Sequence, residues 1–332
     1  MSVSIAIIGA TGSVGQELVR VLEQAPLDIG RLVAVGTRAS VGKRLEYADD
    51  ELTVKALSED ALRDVDLAFV ATRGPVPRGI LDDALDDGVR MVDLSGVWRD
   101  EPGVPTVAMA ANAEDLQVLR ETGVVHAPGP LTLALVHLLG PLHASHSLLG
   151  VRGTAWLPAT VAGRAGTEEL SNQVVSLFNA KEPQRSVFPD GLAFDLPAAW
   201  GAVGDDGWSE LEQATAHQVL TLLGMDRGVV GVTATVAPLF AGLALSLHLQ
   251  AEGRLTAASA GDVVEAVGTL QRVEDLRELA VRRQVGQGRV AVGRIRDDPG
   301  GSGVHLWAAC DPLRLTAANA ASIASAIVRE GL

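Results

Sequence analysis

Two hydrophobic periods alternate through the first part of the chain. Val3 to Ile8 is a short β-type apolar run, and from about Ser13 apolar residues recur at helical spacing at Val14, Leu18, Val19 and Leu22. Leu32 to Gly36, Leu67 to Ala71 and Met91 to Leu94 predict further strands, with a helix near Arg78 to Asp87 between the last two. Gly123 to Val125 predicts one more short strand. Leu131 to Leu139 then predicts a helix, with Leu131, Leu133, Leu135, Leu138 and Leu139 as its apolar face. Such alternation of strand and helix implies an α/β, doubly wound parallel sheet.

From Leu148 the pattern changes to longer β-type segments: Leu148 to Leu157, Val229 to Phe240, Leu243 to Gln250, Arg289 to Ile295 and Val304 to Ala309. Helical patterns near Thr167 to Phe178, Ser209 to Leu223 and Gly261 to Leu270 lie between them. Together they predict an α+β unit, a mixed or antiparallel sheet with helices on one face. Arg314 to Arg329 is an Ala-rich helix expected to return to the first domain. The expected domains are therefore 1–128 with 311–332, and 129–310. Asp297 to Gly303 reads as a hairpin-type turn.

The first strand leads directly into Gly9-Ala10-Thr11-Gly12-Ser13-Val14-Gly15. Strand, glycine turn and helix together aim backbone N–H groups at a diphosphate, as in a Rossmann-type nucleotide site. Gly9, Thr11, Gly12, Ser13, Val14 and Gly15 are the candidate cofactor residues. The second strand ends without an Asp or Glu for ribose hydroxyls. Arg38 and Ser40 stand there instead, and a guanidinium suits a 2′-phosphate, which favours NADP. A solvated basic loop is the other reading of this segment. Arg99, in the polar loop after Leu94, suits either an anionic substrate or a surface ion pair with Asp100 or Glu101.

Net charge of −14 argues against nucleic acid and against anionic lipid as partners. No apolar run reaches spanning length without a polar interruption. With one cysteine and no basic, cleavable leader, a cytoplasmic protein is expected. No metal site is expected: His143 and His146 form His-Ala-Ser-His with no third ligand at metal spacing and read as a solvated turn, and His248 alternates with leucines in a strand. Cys310 reads as a small core residue.

Taken together, these segments resemble the aspartate-semialdehyde dehydrogenase family over nearly the whole length. Ile7 to Gly15 looks like its cofactor loop, and Arg38-Ala39-Ser40-Val41-Gly42-Lys43 like its Arg-Ser-Ala-Gly-Lys segment with one residue inserted. Val92 to Arg99 is similar to the stretch ending in the family's phosphate-contacting Arg, and Val104, Pro105 and Asn112 fit the segment after it. Leu192 to Asp195 and Cys310 to Arg314 match further on. The resemblance implies an NADP-dependent, phosphorylating oxidation of an aldehyde through a thioester on a cysteine, in amino-acid biosynthesis, by a homodimer.

The residues that would perform that chemistry are replaced. In Pro128-Gly129-Pro130-Leu131-Thr132 the family's cysteine falls at Pro130, which brings no nucleophile and no N–H for an oxyanion. The family's Arg-x-His segment falls on Ala241-Gly242-Leu243, its Gln on Trp156, and its Glu and Lys on Glu212 and Ala214. No catalytic residue is therefore assigned, and Arg99, Asn112, Pro130, Trp156, Glu212, Ala241 and Leu243 are expected remnants of a substrate site. Three readings stay open on sequence alone. The first is a catalytically silent, NADP-binding relative. The second is an NADP-dependent oxidoreductase for a more apolar substrate. The third is a structural or regulatory partner, including a heterodimer with an active paralogue.

Overall fold

The structure is a computed structural model describing residues 2–48, 50–301 and 303–332. It divides into two compact units, Met1–Gly129 with Thr316–Leu332, and Pro130–Leu315.

In the first unit, β1 (Val3–Ile8) is followed by α1 (Ser13–Leu22), β2 (Ile29–Gly36), the hairpin β3 (Arg44–Tyr47) and β4 (Asp50–Thr53), and β5 (Lys55–Ala56). Then come α2 (Glu59–Leu62), β6 (Leu67–Val70), α3 (Arg78–Asp86), β7 (Arg90–Asp93), α4 (Leu119–Thr122) and β8 (Val124–His126). The main sheet has the order β5-β2-β1-β6-β7-β8, and every pair in it is parallel. β1 is apolar at nearly every position because both faces of the sheet are covered. Ile5 and Ile7 pack in one cluster with Leu18, Val19 and Leu22 of α1 and with Ile323 and Ile327 of the last helix (Pro312–Glu330). Ala6 and Ile8 face the opposite cluster with Leu81 and Ala84 of α3. This is the predicted α/β arrangement, a class of sheet that carries its ligand sites beyond the carboxyl ends of the strands.

The second unit starts with α5 (Pro130–His146) and continues with β9 (Leu148–Leu157), α6 (Gly163–Phe178), α7 (Glu210–Leu222), β10 (Val229–Val236) and β11 (Leu243–Ala251). It ends with α8 (Ala257–Ala266), β12 (Leu270–Arg272), β13 (Val290–Asp297) and β14 (Val304–Cys310). The sheet order is β10-β9-β11-β14-β13-β12. Its two outer pairs are parallel and the inner ones antiparallel, a mixed sheet. Helices α5, α7 and α8 pack on this sheet. Leu243, Leu245, Leu247 and Leu249 are buried beneath them, while Ser246, His248 and Gln250 stand on the helix-free face and stay half-buried. Period-2 alternation is thus the sequence record of one covered and one uncovered face.

Predicted elements differ in extent, and the strand expected at Val229 to Phe240 ends at Val236. The helix expected at Gly261 to Leu270 lies at Ala257–Ala266, because Thr256 and Ser259 form a capping box that starts it earlier. His143 and His146, read as a turn, instead lie in the last helical turn of α5, which runs through Pro141. Ser302, within the turn expected at Asp297 to Gly303, lies outside the described residues. Among the described residues, no helix is long and apolar enough to cross a membrane.

Candidate active site: two strand-to-helix turns

The first turn joins β1 to α1. Gly9 has φ +94°, and a Cβ there would sit 2.6 Å from the Ala71 carbonyl oxygen. A Cβ on Gly15 would meet the Gly9 oxygen at 2.3 Å. Glycine is therefore required at both positions by close backbone approach. Backbone N–H groups of Gly9 and Ala10 donate to the Val35 carbonyl at 2.8 and 3.1 Å, and Gly12 N–H donates to Gly9 at 2.9 Å, closing the turn. Gly12 caps α1 without a side-chain hydrogen bond, and the first turn of the helix holds no acidic residue. The positive end of the helix macrodipole is left available to an anion. Ser13 and Val14 are the first residues of α1, in that turn.

A short 3-10 turn, Arg38–Ser40, follows β2. Ser40 is buried, and its Oγ accepts from Thr11 Oγ1 at 3.1 Å, so this loop is tied to the glycine turn. Arg38 is exposed beside it. The cofactor candidates Gly9 to Gly15, Arg38 and Ser40 are thus brought together.

Two other candidates in this unit are placed differently. Arg99 is exposed, its guanidinium Nη2 2.9 Å from where a Gly96 Cβ would lie. Asn112 is buried and fully employed: it donates to the Thr106 carbonyl and Asp115 at 2.8 and 2.7 Å, and accepts from Ala108 N–H at 2.9 Å. That hydrogen bonding makes Asn112 a loop brace.

The second turn joins β8 to α5. Gly129 and Pro130 are exposed, and a Cβ on Gly129 would meet nothing within 4 Å. Pro130 is the first helical residue, where a missing N–H costs no helical hydrogen bond. Thr132, two residues on, is buried and donates to Gln218 of α7 at 2.9 Å. Leu243 is fully buried, and Ala241 is half-buried beside Gly242, whose φ is +82°. Trp156 stands on β9 with its ring stacked on Trp307 at 5.4 Å. Glu212 is buried with both oxygens occupied. One accepts from Ser209 N–H at 2.8 Å in a capping box at the start of α7, the other from Ala234 N–H of β10 at 2.7 Å. A carboxylate so engaged fastens α7 to the sheet.

The remaining thiol offers no substitute nucleophile. Cys310 is fully buried, and burial, then neighbouring Asp311, drives its pKa far above that of a reactive cysteine.

Family models agree with this architecture. The model for the semialdehyde dehydrogenase NAD-binding domain matches residues 4–119, and that for the semialdehyde dehydrogenase dimerisation domain matches 139–315. The chain belongs to the aspartate-semialdehyde dehydrogenase family. The aspartate-semialdehyde dehydrogenase of Rickettsia bellii is 28% identical over 98% of each chain. The "USG-1 protein homolog" of Pseudomonas aeruginosa is 32% identical, over 99% of this chain and 98% of its own. Among solved structures, a probable aspartate-semialdehyde dehydrogenase from Pseudomonas aeruginosa superposes with a TM-score of 0.92 at 30% identity, over 100% of both chains. In this family member the glycine turn belongs to a nicotinamide-cofactor domain.

Sequence reasoning missed two constellations. Asp93, at the end of β7, is completely buried and accepts from Ser95 N–H and Oγ, Gly96 N–H, Trp98 N–H and His126 Nδ1 at 2.6 to 3.1 Å. Burial pushes its carboxyl pKa up, but hydrogen bonds from His126, Ser95 and Trp98 outweigh this and lower it to about 2. Asp-Leu-Ser-Gly after an apolar strand is the one local signal for such a carboxylate-centred turn. The second constellation joins His248, Asp298 and His305 on the sheet of the second unit. Residues 57 positions apart carry no local signal of it.

Proposed function

We propose that this family member binds NADP through its first unit, forms a homodimer through its second, and does not oxidise aspartate semialdehyde. The observation carrying this reading is an exposed Pro130 at the head of α5, where the resemblance puts the attacking cysteine. The hydrocarbon ring of a prolyl residue carries no nucleophilic atom with which to form a thioester or any other acyl adduct, and its tertiary amide contributes no N–H to a developing oxyanion. Leu243 at the position of the family's acid/base is sealed in the core. Removing nucleophile and base together from a catalytic unit costs several powers of ten in rate.

Cofactor binding rests on different atoms. The uncapped start of α1, the glycines that let backbone approach a diphosphate, and Arg38 next to Ser40 all support NADP. Arg38 favours the 2′-phosphate. Homodimer formation is supported by the match to the family's dimerisation domain. A reductase that transfers hydride without a covalent adduct is the second reading, favoured by the same intact cofactor turn.

Fluorescence titration with NADPH and NADH, beside an assay for phosphate-dependent NADPH formation from aspartate semialdehyde, tests the proposal. Binding of NADPH in preference to NADH with no turnover is expected. Measurable turnover overturns silence; NADPH oxidation with an apolar aldehyde or ketone supports the second reading.

A further inference from the structure

We propose that His248, His305 and Asp298 form a binding site for a divalent transition metal of the zinc type on the helix-free face of the second unit's sheet. The site comes from strand register. His248 of β11 and His305 of β14 are direct cross-strand partners in an antiparallel pair, so both imidazoles leave the same face. Their ring centroids lie 4.5 Å apart. Asp298 begins the turn from β13 to β14, its N–H donating to the Gly303 carbonyl at 2.9 Å. That turn folds its carboxylate over the two rings. Asp298 Oδ1 is 3.2 Å from His305 Nε2, and Oδ2 is 3.7 Å from His248 Nε2. One ligating atom from each of the three residues lies within 4.8 Å of the other two.

These separations suit an ion. With metal–ligand bonds of about 2.0–2.1 Å, tetrahedral geometry puts neighbouring ligand atoms roughly 3.3–3.4 Å apart. The two measured separations bracket that value. Two imidazoles and one carboxylate select Zn2+, Co2+, Ni2+ or Cu2+ over Mg2+ and Ca2+, which prefer oxygen alone, and the lack of thiolate disfavours Cu(I). Three protein ligands leave a fourth position for water or another donor.

One feature separates this cluster from a plain ion pair. His248 Nε2 is buried and makes no hydrogen bond, although it points toward the carboxylate. Buried polar nitrogens without a partner are uncommon and call for an explanation such as a missing ion. The neighbouring cations are engaged elsewhere. Arg152, across from His248 on β9, donates to Gln250 at 2.8 Å, and Arg296, across from His305 on β13, donates to the Arg294 carbonyl at 3.0 Å. Asp297 accepts from the Ala257 N–H at 2.7 Å. The facing set of two histidines and one aspartate offers three ligand atoms to one ion.

The test is titration of tag-free, full-length protein with Zn2+ by calorimetry, and with Co2+ by visible absorption, on wild type, His248→Gln and His305→Gln. Loss of even an outer partner of a metal ligand weakens affinity roughly 10- to 100-fold, so each substitution should weaken Zn2+ binding at least about tenfold. Wild type should bind one ion per chain and show the visible bands of a low-symmetry Co2+ site. Zn2+ should also raise the melting temperature of wild type and not that of the variants, a readout within each protein that does not depend on their equal stability. Equal Zn2+ affinity in all three proteins, or no binding by wild type, overturns the proposal.

Discussion

The turns before α1 and before α5 share one connection: a short strand, a few residues outside regular structure, and the start of a helix. They differ in which atoms they leave at the tip. The first turn is glycine, held by backbone hydrogen bonds, and its helix start carries no side-chain cap. The second offers an open Gly129 and then Pro130, which has no N–H where, on the proposed reading, the family's oxyanion would be bound. Binding of a diphosphate at a helix start draws chiefly on backbone N–H groups, which the fold itself positions. Covalent catalysis needs one particular side chain, and packing places no demand on it. The comparison teaches that scaffold and chemistry are separable at residue level.

The strongest way to break the first turn is Gly15→Val. A Cβ there would collide with the Gly9 oxygen at 2.3 Å and the Ala10 Cα at 2.8 Å, both backbone atoms that cannot swing aside. We expect loss of NADPH binding by fluorescence titration and destabilisation of about 3 kcal/mol in urea unfolding. Asp93→Asn removes the hub of the β7 loop and should cost about 2 kcal/mol near neutral pH. Its sign with pH is fixed. A carboxyl pKa lowered from 3.8 to about 2 favours the fold when ionised, so the stabilisation is complete above 3.8 and disappears as pH falls through about 2. Wild type and D93N should converge in stability over that window.

Glu212→Ala sharpens the contrast from the other side. It leaves Ser209 N–H and Ala234 N–H without their acceptor and should cost about 2 kcal/mol by thermal unfolding, while NADPH affinity stays unchanged. An effect on cofactor binding would contradict the independence of the two turns. Smallest in stability is Arg38→Ala, an exposed site. It should leave unfolding within about 0.5 kcal/mol and weaken NADPH roughly tenfold relative to NADH. Unaltered preference between the two cofactors would remove the case for NADP.

Much of the fold was legible because burial writes itself into apolar runs. β1, β6 and β7 are buried along nearly their whole length and stood out at once. The β3–β4 hairpin did not, since Arg-Leu-Glu-Tyr and Asp-Glu-Leu-Thr are mostly exposed and carry little apolar signal. α5 runs past its expected end because Leu142 continues the buried stripe, and packing outweighs the one hydrogen bond that Pro141 removes. Glu212 looked like a substrate group by its place in the chain. Its partners, Ser209 and Ala234, show a carboxylate occupied in structure, and the more distant of these contacts is tertiary and has no sequence spacing. His248 looked like a solitary strand histidine for the same reason: only the register of β11 with β14 brings His305 beside it.

Intact-mass spectrometry of the protein incubated with aspartate semialdehyde, NADP and no phosphate addresses the central claim most directly, because a thioester would then accumulate. The account predicts an unmodified chain and no NADPH. An acyl adduct on any side chain of the second unit, formed together with NADPH, would contradict it.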